Sequence, residues 1–207
     1  MTHFWFKSFG TMGFITVFFM CYIYLLRHPV YPVTIIPITM IDRFITFEPQ
    51  ALPFYLSLWV YVSLPPMLML TRREIVEYGW WIGSMCIAAL AIFYFWPSAI
   101  PSAKIDWARY PGVAFLKGMD TTGNACPSLH VATAVFSAFW LHKNLPAVGL
   151  GNHSRLFSAC WCMAIVYSTM ATKQHMAIDV IAGIGFASAF MWYFLRMQTA
   201  KACVSSR

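Results

Sequence analysis

The sequence predicts an all-α membrane protein: six transmembrane helices in a bundle, with a short interfacial helix after the first span. Three observations predict it. Only 10% of the 207 residues are charged and 60% are hydrophobic, where a soluble domain carries about a quarter charged residues. The apolar residues come in long blocks of near-spanning length. The few ionisable residues collect at the ends of those blocks. The alternative, a very apolar soluble helical protein, would have too little polar surface to cover it.

The spans follow in order. The first runs from about Phe9 to Leu26 and lacks the small-residue cleavage site of a removable signal, so it is expected to be retained. The connection from Arg27 to Ala51 is rich in proline and aromatic residues. Within it, Ile38, Ile41, Phe44 and Ile45 recur at helical spacing around Asp42 and Arg43, so the interfacial helix is expected between Ile38 and Phe47. The second span is about Leu52 to Leu70, and the third about Tyr78 to Trp96.

The connection from Pro97 to Cys126 holds Lys104, Asp106, Arg109, Lys117 and Asp120 but no apolar span. Long connections in compact proteins are usually functional or disordered. This one runs directly into a histidine motif and reads as functional. The fourth span is expected from Pro127 to about Leu141, the fifth from about Leu156 to Ala171, and the sixth from about His175 to Leu195. The fourth and fifth fall short of the ~20 residues that a full crossing needs, which suits helices whose ends form a site recessed below the headgroups. Gly151-Asn152-His153 separates them, and Thr172 to Gln174 forms a tight turn before the sixth. The whole chain, residues 1–207, reads as one membrane domain with a functional core at about 38–196.

A net charge of +7 raises nucleic acid as a partner. The basic residues are scattered at segment ends rather than grouped in a run, which argues against it. They suit membrane flanks, so membrane lipids are the expected surroundings and no obligate protein partner is evident. Six spans place both termini on one side, together with eight of the fourteen lysines and arginines. The positive-inside rule puts that side in the cytoplasm. The histidine motifs then face the periplasmic or outer side of a bacterial inner (plasma) membrane. Six cysteines show neither metal-ligand spacing nor a disulfide framework. No metal and no tightly bound cofactor is expected.

Two motifs carry chemistry. In His175-Met176-Ala177-Ile178-Asp179 the two ionisable residues are one helical turn apart and share a face. Asp179 would hold one imidazole nitrogen, fixing the tautomer and leaving the other nitrogen as a nucleophile. A plain structural hydrogen bond between the two is the competing reading. The second motif is Cys126-Pro127-Ser128-Leu129-His130. Pro127 suits the first turn of a helix. Free backbone donors at that helix start, with the Ser128 hydroxyl, would form an anion site, and His130 would protonate a leaving oxygen. Alone, His130 reads as a core or interface residue. Ionisable residues inside apolar segments are costly and therefore functional candidates.

Together these motifs resemble those of the type 2 phosphatidic acid phosphatase superfamily. Pro127-Ser128-Leu129-His130-Val131-Ala132 is similar to its second motif, usually Pro-Ser-Gly-His, and the Leu129 form is similar to the branch that includes inositol phosphorylceramide synthases. Thr172-Lys173-Gln174-His175-x-x-x-Asp179-Val180-x-x-Gly183 resembles its third motif. Asp42-Arg43, Pro97, Pro101, Asp120 and Asn124 also match that branch, so the resemblance covers about Ile38 to Gly185. It implies a six-helix bundle that removes or transfers phosphoryl groups on lipids without a metal, at the outer face. His175 would be the nucleophile, Asp179 its orienting partner, and His130 the general acid and then base. Ser128, Lys173, Lys104 and Arg109 would bind phosphate, with Asp120 and Asn124 in support.

The chain departs from the family at two arginines. Pro101-Ser102 stands where the branch usually has Pro-Arg, and Thr169 stands six residues before the histidine, where arginine is usual. Lys104, Arg109 and Lys173 are the nearest substitutes, although an ammonium lacks the bidentate geometry of a guanidinium. For Lys104, Arg109 and Lys117, ordinary headgroup contact is the competing reading. The expected activity is a lipid phosphatase acting through a phosphohistidine. The alternatives are a phosphotransferase passing the headgroup to an alcohol, a proton-relay transporter, and an inactive scaffold.

Overall fold

Helices begin where a short polar side chain can satisfy the first backbone donors. Thr39 and Thr71 both form capping boxes, with Asp42 and Glu74 reaching back to the cap backbone, and Ser128 accepts from the Val131 N–H. The computed structural model describes residues 4–103, 105–119 and 124–205. Lys104 and Asp120, two of the expected site residues, lie outside them. Helix α1 spans Phe4–Arg27, α2 Met40–Phe44, α3 Leu52–Leu56, α4 Leu58–Leu68 and α5 Arg72–Phe95. Then follow α6 at Pro111–Met119, α7 at Leu129–Asn144, α8 at Asn152–Ala171 and α9 at Ala177–Ser205.

The long helices alternate in direction. Lys7, near the start of α1, donates to the carbonyls of Met67 and Met69 at the end of α4 (3.0 and 2.6 Å). The far part of α9 meets the start of α5 where Gln198 donates to Glu77 (3.4 Å). At the opposite end, Asn124 donates to the Tyr22 carbonyl of α1 (3.1 Å). That same end carries the Ser128 cap of α7 and the turn between α8 and α9, so both histidine motifs sit there.

Helix α7 is the central element and packs on α4, α5, α8 and α9. Val131, Ala132, Ala134, Phe136 and Ser137 on it are completely buried. One core face joins Met85, Ala89 and Phe93 of α5 to Phe136, Trp140, Ala187 and Phe194. The other joins Tyr61 of α4 to Ala134, Leu141, Cys162 and Ile165. In lipid, helix association rests on close packing rather than on expelled water, and small residues permit the approach. Ala132, Gly183 and Ala187 supply them between α7 and α9. Helix α1 packs on α5 and otherwise presents large apolar side chains outward, among them Phe9, Val17 and Met20.

Among the described residues, four stretches are long and apolar enough to cross a membrane: Trp5–Arg27, Pro49–Leu68, Arg72–Phe95 and Ala177–Ala200. This is an integral membrane protein by that measure. The sequence reading expects six spans. Helix α7, with 16 residues, is about 24 Å long at ~1.5 Å per residue. Helix α8 has 20 residues but includes Asn152, His153, Ser154, Arg155, Ser158, Ser168 and Thr169, which lower its apolar character.

Several boundaries differ from expectation. The interfacial helix shrinks to five residues. Pro127 lies ahead of the Ser128 cap instead of inside the first turn, so α7 starts at Leu129. His175 precedes α9 rather than opening it. The connection after α5 also builds structure the sequence did not announce. Thr34–Ile35 pairs in parallel with Ser98–Ala99, and Ser98 bridges to Asn124. Two-residue strands are too short to show alternation. The Ser98 hydroxyl then accepts from the Cys126 N–H (2.9 Å), which places the strand against the entry to α7.

Candidate active site

Asp179 organises one end of the bundle. It is completely buried, and both carboxylate oxygens are used. Oδ1 accepts from the Met176 N–H (2.7 Å), and Oδ2 accepts from His175 Nδ1 (2.7 Å). An ionised carboxylate can only accept, so with Asp179 as the acceptor Nδ1 carries the hydrogen and Nε2 is the ring nitrogen left to the site. The Asp179 carbonyl accepts from the Ser128 N–H (2.9 Å), which ties the start of α7 to the same turn of α9. Gly183, one turn further on, makes this approach feasible. A Cβ there would lie 2.5 Å from the Ser128 carbonyl oxygen and 3.3 Å from Val131 Cβ.

The turn carrying His175 is a helix ending of recognisable form. The Lys173 N–H donates to the Met170 carbonyl and the Gln174 N–H to the Thr169 carbonyl (both 3.0 Å). With α8 ending at Ala171, these are the two bonds of a Schellman motif. Such an ending needs one residue in the left-handed region, usually glycine. Here that residue is Lys173, with φ of 55°. The His175 N–H joins the same Thr169 carbonyl (3.0 Å). Thr169, the position where the family usually has arginine, therefore contributes its main chain to the histidine turn.

Helix α2 is clamped onto this turn from both directions. Asp42 is buried, and its Oδ1 accepts from the Ala177 N–H at the start of α9 (2.8 Å). Its Oδ2 accepts from the Thr39 N–H and hydroxyl (2.8 and 2.7 Å). In return, the Lys173 ammonium donates to the carbonyls of Asp42 (3.2 Å) and Ile45. Burial lowers the Lys173 ammonium below the ordinary lysine value, and the nearby Asp42 charge opposes that shift.

His130 is held differently. Its Nε2 donates to the Tyr55 carbonyl (3.1 Å), and its ring stacks on Tyr55 with centroids 4.0 Å apart and planes 17° apart. A carbonyl oxygen can only accept, so Nε2 carries the proton and Nδ1 is the second titrating nitrogen. Tyr55 lies in α3, just before the interruption at Ser57 that separates α3 from α4. The start of α7, which carries His130, is tied to the turn carrying His175 through the Ser128 N–H and the Asp179 carbonyl.

The structure therefore brings His175, Asp179, His130, Ser128 and Lys173 to one end of the bundle. The hydroxyl of Ser128 accepts from the Val131 N–H (3.3 Å) as a cap, and its proton has no acceptor among the described residues. Arg109 is 77% exposed and paired with Asp106 (3.0 Å) one turn away. Asn124 is buried at the strand bridge and donates to Tyr22, so it braces the entry to α7. Tyr55 gave no signal in the sequence, because its contribution is partly a backbone carbonyl. The reach of Asp42 to Ala177 spans 135 residues and has no local pattern, although Thr39-x-x-Asp42 is legible as a capping box.

Comparison with known families adds an independent finding. The family model described as the PAP2 superfamily, the type 2 phosphatidic acid phosphatases, matches residues 50–193. Comparison with curated proteins gives no match.

Proposed function

Because the chain belongs to the PAP2 superfamily, matched over residues 50–193, we propose that it is a membrane lipid phosphatase that hydrolyses a phosphate ester or diphosphate of a lipid through a phosphohistidine on His175. The observation that carries this reading is the buried 2.7 Å contact between His175 Nδ1 and Asp179 Oδ2. It leaves Nε2 as the nucleophile and sets a negative charge behind the ring, where positive charge develops as Nε2 bonds to phosphorus. In the first step Nε2 attacks phosphorus and the bond to the lipid oxygen breaks. His130 delivers a proton to that oxygen. In the second, His130 takes a proton from water, the water oxygen bonds to phosphorus, and the phosphorus–Nε2 bond breaks to regenerate His175. With Nε2 of His130 on the Tyr55 carbonyl, Nδ1 is the nitrogen that exchanges this proton. The N–H groups at the start of α7 and the Ser128 hydroxyl suit the equatorial phosphate oxygens. No residue here is asked to hold a metal.

We read α7 and α8 as crossing the membrane with the four long spans, embedded among them and therefore able to be shorter and less apolar. The count of lysines and arginines favours the histidine end as the outer face. A proton relay would need ionisable groups along the depth of the bundle. The core between the two ends is instead built from Phe93, Phe136, Trp140, Ile165 and Phe194. An alcohol in place of water would make the same site a phosphotransferase, in line with the Leu129 form of the second motif.

The test is phosphate release by detergent-purified protein from a panel of phosphorylated lipids, with and without an added alcohol such as inositol. His175→Ala should lower turnover at least 10³-fold in a protein that still folds, at a cost of about 1–3 kcal/mol for the Asp179 oxygen left without its partner. Full activity in that variant would end the mechanism. Acid-labile label trapped on His175 of the wild type would support it directly.

A further inference from the structure

The carbonyl that holds His130 comes from a place where a helix is broken. Helix α3 ends at Leu56 and α4 starts at Leu58, with Ser57 between them in neither. In a continuous helix each carbonyl accepts from the N–H four residues on. Around this break the carbonyls meet side chains instead. That of Phe54 accepts from the Ser57 hydroxyl (2.7 Å), and that of Tyr55 accepts from His130 Nε2 (3.1 Å).

A serine bonded back to its own helix does not break that helix by itself. Ser63 and Ser84 donate to the carbonyls of Trp59 and Trp80 (2.8 and 2.6 Å), and α4 and α5 run through them without interruption. Such bonds only bend a helix slightly. Ser57 differs by a second bond. Its Oγ also accepts from Trp161 Nε1 of α8 (2.8 Å). That donor is itself fixed. The Trp161 ring lies against Tyr61 and Phe157, with centroids 5.3 and 5.8 Å away, and the Tyr61 hydroxyl is bonded to Ser158 of α8 (2.7 Å). A side chain drawn into the hydrogen-bond ladder is a common cause of a sharp kink.

We propose that Ser57 and Trp161 are positioning residues for the general acid. Bonded to each other, they hold the break that turns the Tyr55 carbonyl and ring toward His130, and so keep that imidazole protonated on Nε2 with Nδ1 left to exchange the proton. Neither residue touches the substrate; both act through Tyr55. The inference rests on the phosphatase reading of this site and adds two residues that lie outside both histidine motifs.

The signature of an acid is its dependence on the leaving group. Full-length wild type, Ser57→Ala, Ser57→Thr and Trp161→Phe are compared in detergent on dodecyl phosphate and on a nitrophenyl phosphate bearing a dodecyl chain. An alkoxide needs a proton to leave, whereas a nitrophenolate leaves without one. Ser57→Ala and Trp161→Phe should lower kcat/KM for the alkyl phosphate about tenfold and for the nitrophenyl phosphate less than about twofold. Ser57→Thr keeps the hydroxyl and should stay near wild type on both. His130→Gln should show the same selectivity with a loss of about 10²-fold or more. Equal losses on the two substrates would mark the pair as merely structural and overturn the proposal, as would no loss on either. NMR on nitrogen-labelled histidine reads the tautomer without turnover, with His130→Gln identifying the signal. His130 should be protonated on Nε2 in the wild type and mixed between its nitrogens in Ser57→Ala and Trp161→Phe. An unchanged tautomer in both variants refutes the pair. If the wild type releases phosphate from neither substrate, the phosphatase reading falls on these substrates, and the tautomer still decides whether Ser57 and Trp161 set His130.

Discussion

The turn before α9 and the start of α7 each hold a histidine, and they hold it by opposite means. His175 is fixed by a side chain four residues along its own segment, the Asp179 carboxylate at 2.7 Å. His130 is fixed by a main-chain carbonyl and a stacked ring from a different helix, both supplied by Tyr55. A carboxylate orients an imidazole and also offsets a positive charge on it. A carbonyl orients the ring with only a partial charge. The first arrangement suits a ring that must carry charge after bonding to phosphorus, and the second suits a ring that takes up and gives back a proton. On the proposed mechanism, electrostatic support lies behind the nucleophile and positional support behind the acid.

The sharpest way to break this contrast is Asp179→Asn. The shape is kept, but the charge is lost and an amide N–H₂ can face Nδ1, which favours the wrong tautomer. Turnover should fall by about 10²–10⁴-fold. Stability should fall by about 1–3 kcal/mol, because the Met176 N–H and the ring lose a charged acceptor. Phosphate release and denaturation in detergent check the two effects separately. Activity within a few-fold of wild type would show that the carboxylate is structural and that the two stations do not differ as argued.

Next in size is Gly183→Ala. The new Cβ would sit 2.5 Å from the Ser128 carbonyl oxygen, which is main chain and cannot rotate aside. The start of α7 must then move away from α9, carrying Ser128 and His130 from His175. Overpacking of this kind costs about 1–3 kcal/mol, and kcat should fall more than stability does, since the two rings separate. A variant with normal stability and normal kcat would show that the spacing between the stations is not set at this contact.

Much of this site is legible in residue types. His175 and Asp179 at one-turn spacing and the apolar blocks follow from local pattern, whereas the Pro127 reading placed Ser128 inside the helix that it instead caps. What stays hidden is of two kinds. Main-chain acceptors, such as the carbonyls of Tyr55 and Thr169, have no residue signature. Long-range partners, such as Asp42 with Ala177, depend on how α2 folds back over the bundle. Arg109 is instructive in the other direction: its partner Asp106 stands three residues earlier, so the exposed pair at 3.0 Å is a local competitor for any phosphate. The two-residue strands Thr34–Ile35 and Ser98–Ala99 and the nine-residue α6 are too brief for periodicity to announce.

Lys173 yields the smallest effect and the cleanest separation of causes. Two contributions meet there with opposite signs. Its ammonium anchors α2 through the carbonyls of Asp42 and Ile45, while its backbone sits at φ 55°, which costs a side-chain-bearing residue roughly 1–2 kcal/mol. Lys173→Ala and Lys173→Gly both remove the anchor, but only glycine relieves the backbone. The glycine variant should therefore be more stable than the alanine variant by about 1 kcal/mol, read from denaturation in detergent. Their shared loss relative to wild type, corrected for that difference, measures the anchor. If α2 helps keep the histidine turn in place, both variants should lower kcat equally. Unequal kcat values would mean that the left-handed turn itself, rather than the clamp from α2, sets the position of His175.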